Sequence, residues 1–186
     1  IQTAREVNMP KDNISRAITK SDISTDNNFQ NLRYEGFGPF NVALIIETLT
    51  NNKNRSASNI RTILQKNGGR LGENGSTSHL FFSCGVIKIK KDIIDDVKIL
   101  DIAINAGAKD CVSDNQIHEI VTEKEDFYKI KSKIEKQVKD FVYSGIEWRA
   151  HSYIKISKSQ IEKIVELLET LNDDDDIQKV FFNCKI

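Results

Sequence analysis

With 186 residues, 39% hydrophobic and 29% charged, the chain can bury one large core or two small ones and is too apolar for wholesale disorder. Its longest apolar run, VALII over Val42 to Ile46, cannot span a bilayer, and its three scattered cysteines (Cys84, Cys111, Cys184) lack CxxC spacing. A membrane helix and a disulfide scaffold are thereby excluded, and a reduced cytosolic compartment fits.

Along the chain, Val7, Ile14, Ala17 and Ile18 have helical spacing around a break at NMPKD, where Pro10 suits the first position of a new helix. The opening IQTAREVNMPKD lacks the build of a signal segment and reads as the middle of a helix. KSDISTDNNFQN (20–31) has linker composition, and order resumes near Tyr34. NVALIIETLT (41–50) is expected as a buried strand. Ala57, Ile60 and Leu64 then mark a helix face, with Ser56 or Ser58 as N-cap and Asn67-Gly68-Gly69 as the stop.

STSHLFFS and GVIKIK follow as two strands about Cys84-Gly85. Ile93, Val97, Leu100 and Ile104 mark the apolar face of another helix, ended by Gly107. KDCVSDNQIHEIVTE reads as a hairpin turning at Asp114-Asn115. Phe127, Ile130, Ile134, Val138 and Phe141 line a long helix, and a strand runs through Ile146 and Trp148. Ile161, Ile164, Val165, Leu168 and Leu171 define the clearest helix, with Ser159 and Glu162 at capping-box spacing. Four aspartates at 173–176 would oppose a helix dipole, so they are expected as a solvated turn before a last strand, IQKVFFN.

These elements predict an α+β chain. Residues 1–30 form a helical segment and linker, 31–92 plus 154–186 a discontinuous α/β domain, and 93–153 an α/β domain inserted in it. Both α/β domains count as ferredoxin-like, split βαβ units.

Little in the sequence points to catalysis. The glycines of G-G-x-x-G-x-x-G at 68–75 follow a helix and precede a strand, the reverse of a dinucleotide fingerprint, so a helix stop and turn is preferred to a phosphate cradle. His79, His118 and His151 are far apart, and the aspartate run lacks the Gly and Glu of a calcium loop. Cys84 reads as a small residue near a hairpin, and Ser76 and Ser78 beside His79 give no nucleophile–base pair. The reading is a non-enzyme without metal or cofactor.

Charge is more informative. Residues 1–92 carry 13 Lys/Arg against 8 Asp/Glu, and residues 93–186 carry 14 against 19. Lys53, Arg55, Arg61, Lys66 and Arg70 are the candidate phosphate contacts. Lys53 and Arg55 are placed just before the positive end of the helix, and Arg61 off its apolar face. A solvated, solubilising surface explains the same residues.

YEG (34–36), ALIIE.LT.NKNR (43–55), NGG.LGE.GS (67–76) and F...GVI (82–87), with NMPKDNISRAI upstream and DIQKVFFN near the end, resemble the YebC/PmpR family, which includes mitochondrial translational activators. The resemblance covers nearly the whole chain and is weakest over 109–153. It implies a helical N-terminal domain and two α/β domains, one inserted in the other. Family members usually begin with a basic segment, close to GHSKW.NIKHRKG; this chain starts after it, as a fragment, a processed form or a divergent member would. Gly38-Pro39-Phe40-Asn41 stands where the family commonly has GPGG, which implies a loss of backbone freedom there. WRAHS (148–152) replaces a segment that commonly contains proline, which implies a different joint between the domains.

The function implied is a DNA-binding transcriptional regulator in the bacterial cytoplasm. The alternatives are a ribosome- or RNA-bound translation factor, in the mitochondrial matrix for an organellar relative, and a ligand-sensing or protein-docking module by fold analogy.

Overall fold

The β-branched run is the spine of the molecule: Val42, Ala43, Leu44, Ile45 and Ile46 are all 0% exposed, so this strand is covered on both faces. The computed structural model describes residues 29–185, and the helices and linker expected over 1–28 lie outside it. Strands β1 (Gln30–Phe37), β2 (Ala43–Thr50), β3 (Arg70–Leu71) and β8 (Ile177–Phe182) form one antiparallel sheet in the order β3-β1-β2-β8. Strands β4 (Phe81–Lys90), β5 (Asp110–Ser113), β6 (Ile117–Glu123) and β7 (Tyr143–Ala150) form a second, in the order β5-β6-β4-β7. Helices α1 (Lys53–Lys66) and α4 (Lys158–Asn172) cover the first sheet, while α2 (Asp96–Ala106) and α3 (Phe127–Glu135) cover the second. The class is α+β, as the sequence predicts.

Several elements differ from the sequence reading. β1 begins at Gln30, inside the stretch read as linker, and pairs with β2 along its whole length, from Gln30↔Thr50 to Phe37↔Ala43. Its polar residues disguise it because cross-strand pairing, not burial, carries most of it. Residues 81–90 form one strand and not two, and it pairs with β6 and β7 in the second sheet, whereas the sequence reading gave it to the first unit. The strand runs straight through Gly85, which pairs with Thr122 and Ile146, and glycine is needed there because a side chain would collide with Phe127 and Thr122. The first sheet takes its fourth strand from β1 instead, and the second has the β-α-β-β-α-β order of a split βαβ unit.

Helix details shift for similar reasons. α2 buries Ile99, Ala103 and Ala106, while Val97 and Ile104 on the expected face are 70% and 64% exposed. The helix carries two apolar stripes, and the one with alanines allows the closer approach to the sheet. α3 stops at Glu135, yet Val138 and Phe141 still enter its core from the following loop. α4 is capped by Ser157 and Gln160, not Ser159 and Glu162, with the Ser157 amide donating to Gln160 Oε1 at 2.8 Å.

The two sheets meet where Phe37, Ala43, Ile45 and Phe181 pack against Phe81, Trp148 and Ala150. Trp148 Nε1 donates to Glu47 Oε1 at 3.0 Å, and the Arg33 guanidinium lies 4.9 Å from the Trp148 ring. The connector between β3 and β4 is held by Glu35, whose Oε2 accepts the Thr77 and Ser78 amides, each at 2.8 Å. Burial alone would raise the Glu35 pKa, but these amides hold it below its ordinary 4.5.

The glycines at 68 and 69 act as the sequence reading prefers. Gly68 has φ +73°, and the Gly69 amide donates to the Leu64 carbonyl at 2.7 Å, ending α1. A side chain at 68 would have room and meet only Pro39, whereas one at 69 would strike the Phe37 carbonyl and the Gly38 backbone. Gly68→Ala is therefore expected to cost about 1 kcal/mol through φ alone. Gly69→Ala is expected to cost roughly 2–3 kcal/mol through the clash. Urea denaturation of the two variants checks the order.

Candidate nucleic-acid interface

α1 begins earlier than its sequence suggests. Asn52, in an extended conformation, is the N-cap, and its side-chain oxygen accepts the Arg55 amide at 3.1 Å. Lys53 and Arg55 consequently lie inside the first turn and not ahead of it, a correction to the sequence reading. Two cations there oppose the helix dipole, and the first turn contains no acid of its own.

Asp176 supplies the missing charge from near the far end of the chain. Its carboxylate accepts from Ser56 Oγ at 2.7 Å, Thr50 Oγ1 at 3.0 Å and Arg55 Nη2 at 2.9 Å. Arg55 Nε adds a bond at 3.3 Å. The fourth aspartate is 8% exposed, so this residue is no part of a solvated turn. Burial pushes its pKa up, but the bonds from Ser56, Arg55 and Thr50 outweigh that and hold it below its ordinary 3.8.

This clamp divides the five candidate cations. Arg55 is spoken for by Asp176 and acts as a structural anchor, although its side chain is 49% exposed. Lys53, Arg61, Lys66 and Arg70 are exposed and enter no ion pair among the described residues. Lys53 starts the helix above β1, where the Tyr34 hydroxyl donates to its carbonyl at 3.0 Å. At about 100° per residue, Arg61 lies on the flank of α1 away from α4, and Lys66 lies roughly 140° from it. Lys66 lines a groove of about 380 Å³ with Asn59, Thr62 and, from the α4 side, Thr170 and Asp173. Arg70 sits on β3 with its guanidinium 4.5 Å from the Phe37 ring centroid.

Between the two flanks runs a neutral crest. Asn54, Ser58, Thr62 and Gln65 are all exposed, and Ser56, Ile60 and Leu64 face the opposite way into the core. Sequence reasoning saw the cations but not this crest, because the apolar spacing alone leaves the polar positions unranked.

The rest of the chain offers less chemistry. Burial pushes the thiols of Cys84, Cys111 and Cys184 up, away from reactive thiolate. Ser113 and His118 meet across β5 and β6 at 2.7 Å, but His118 Nε2 faces the Ile94 carbonyl at 2.8 Å, so the pair satisfies a fully buried ring. Among the described residues no group of three or more His, Cys, Asp or Glu could hold a metal ion, and no helix is long and apolar enough to cross a membrane.

Removing Asp176 leaves two hydroxyls and a guanidinium without their acceptor, so Asp176→Ala is expected to cost about 2–3 kcal/mol. Arg55→Ala, at a half-exposed site, should cost about 1 kcal/mol. Because the Asp176 pKa is depressed in the fold, its stabilisation is complete above the unfolded value and is lost as pH falls through the folded one. Urea midpoints measured from pH 7 down to pH 3 should fall less steeply for Asp176→Asn than for the parent.

A family model described as the TACO1/YebC second and third domain matches residues 29–184. A probable transcriptional regulatory protein of Pelagibacter ubique is 48% identical over 183 residues, covering 98% of this chain and 76% of its own length. A second, from Zymomonas mobilis, is 44% identical over 186 residues, covering 100% of this chain and 75% of its own. The crystal structure of a conserved hypothetical protein from Aquifex aeolicus matches with a TM-score of 0.89 at 33% identity, over 99% of this chain and 76% of that one. Motifs, fold and identity agree: the chain belongs to the TACO1/YebC family.

Proposed function

We propose that the chain is a non-enzymatic regulator of transcription that binds duplex DNA through α1. The observation that carries this is the crest-and-flank build of the helix. A polar neutral crest of Asn54, Ser58, Thr62 and Gln65 has unpaired cations on either side. A helix lying in a major groove needs that arrangement, with neutral hydrogen-bonding side chains toward base edges and cations toward the phosphates at the walls. The names of the two bacterial relatives point to transcription as well.

In this reading Lys53, Arg61, Lys66 and Arg70 neutralise phosphates. Arg55 fixes the start of the helix through Asp176 and contacts DNA weakly. Gln65 and Asn54, whose side chains can pair bidentately with adenine, supply base readout.

Four phosphate contacts give a plot of log affinity against log salt a slope of about −3.6, and Arg61→Ala should reduce it by about 0.9 while weakening all duplexes alike. Gln65→Ala should instead narrow the gap between preferred and non-preferred sequences. A gel-shift series in which neither the slope nor the affinity responds to Arg61→Ala and Lys53→Ala together would remove α1 from the interface.

A further inference from the structure

The β1–β2 connection contains the most unusual backbone of the described chain. Phe40 has φ 60° and ψ 23°, and Asn41 has φ 58°, two adjacent left-handed residues that are not glycine. The loop thus follows a glycine-like path with Phe and Asn in place. Asn tolerates that region, whereas an aromatic residue does so at a cost. Core packing does not offset it, because Phe40 belongs to none of the buried apolar clusters and is 40% exposed. A strained residue held on display is a pointer to a binding role.

The surroundings indicate what would bind. Phe40 and Pro39 form one wall of an open groove of about 430 Å³, completed by Lys66, Asn67 and Gly68 at the end of α1 and by Lys163 and Glu166 of α4. Lys66 and Lys163, from two different helices, converge there, and neither makes an ion pair among the described residues. An aromatic face beside two available ammonium groups matches a nucleotide, with its base on the ring and its phosphate between the lysines. Glu166, from α4, is a hydrogen-bond acceptor lining the same groove, suited to a base with an exocyclic amino group.

We propose that this groove receives one unpaired base of a nucleic acid bound along α1, stacked on Phe40, with Lys66 and Lys163 on its phosphates. The proposal rests on the nucleic-acid reading of α1 and deepens it: the preferred ligand is a duplex interrupted by an extruded base. Lys66 belongs to both surfaces, as it closes one flank of α1 and lines the groove.

The test uses the whole chain and two duplexes of equal length and flanking sequence, one fully paired and one with a single bulged 2-aminopurine. The parent protein is expected to bind the bulged duplex about tenfold more tightly and to quench the 2-aminopurine fluorescence, as stacking on an aromatic ring requires. Phe40→Gly suits the left-handed backbone and should fold at least as well, yet lose both the preference and the quenching; Phe40→Tyr should retain them. Equal affinity for the two duplexes, or a preference that Phe40→Gly leaves intact, overturns the proposal while leaving α1 as a duplex-binding helix. Failure to bind either duplex overturns the reading of α1 itself, and this proposal with it.

Discussion

The carboxylate of Asp176 is the interaction on which the first sheet and its helix depend. It gathers Thr50 from the end of β2, Ser56 and Arg55 from the first turn of α1, and the start of β8 into one cluster. Its backbone joins in, since the Leu49 amide donates to the Asp176 carbonyl at 2.8 Å. The segments so joined are separated by the whole of the second sheet along the chain. A charge-assisted cluster of this kind has demanding geometry, so it sets register where apolar packing alone would permit sliding. It also answers the local electrostatic problem of α1, which opens on two cations and no acid.

The second constraint is β2, which is covered by helices on one face and by the second sheet on the other. Leu44 and Ile46 meet Ile60, Leu64, Ile164 and Leu167, while Ala43 and Ile45 meet Phe81 and Ala150. Polar bonds at the margins make this junction specific. Trp148 is tied to Glu47, the Lys179 ammonium donates to the Tyr143 hydroxyl at 2.8 Å, and Thr77 Oγ1 donates to the Leu44 carbonyl at 2.9 Å. The orientation of the two sheets is therefore a property of one strand and a handful of directional contacts.

The legible parts of the sequence were those in which a single local pattern decides the outcome. β2 announced itself through β-branched residues, and Asn67-Gly68-Gly69 through its turn chemistry. Where two patterns competed, sequence alone could not choose. α2 carries two helical stripes, and only the sheet beneath it selects Ile99 and Ala103 over Val97 and Ile104. Gly85 looked like a turn until Phe127, from a distant helix, required the space above it. Asp176 is the limiting case: four identical aspartates in a row carry no mark of which one is buried. Lys53 to Arg70 stood out as a charged block, but the partner that removes Arg55 from it lies at the far end of the chain. The Phe40 groove was equally hidden, since its lysines come from two helices that meet only in the fold.

Stability and recognition occupy different residues of the same helix. The inner face of α1 is fixed by Ile60 and Leu64, its start by Asn52 and Asp176, and its end by the bonds from Asn67 and Gly69. None of these contacts involves the side chains of Ser58 or Gln65 on the crest. The backbone can therefore be held rigidly while the crest varies, and rigidity matters because side chains that read base edges must be placed to within a fraction of an ångström. The same logic reaches the loop at Phe40. Gly38 packs against Leu167 and the Gly69 backbone passes against Phe37 and Gly38, so the loop is wedged between the end of α1 and α4. The left-handed phenylalanine sits on this wedged loop, 40% exposed, and lines the groove it shares with Lys66 and Lys163.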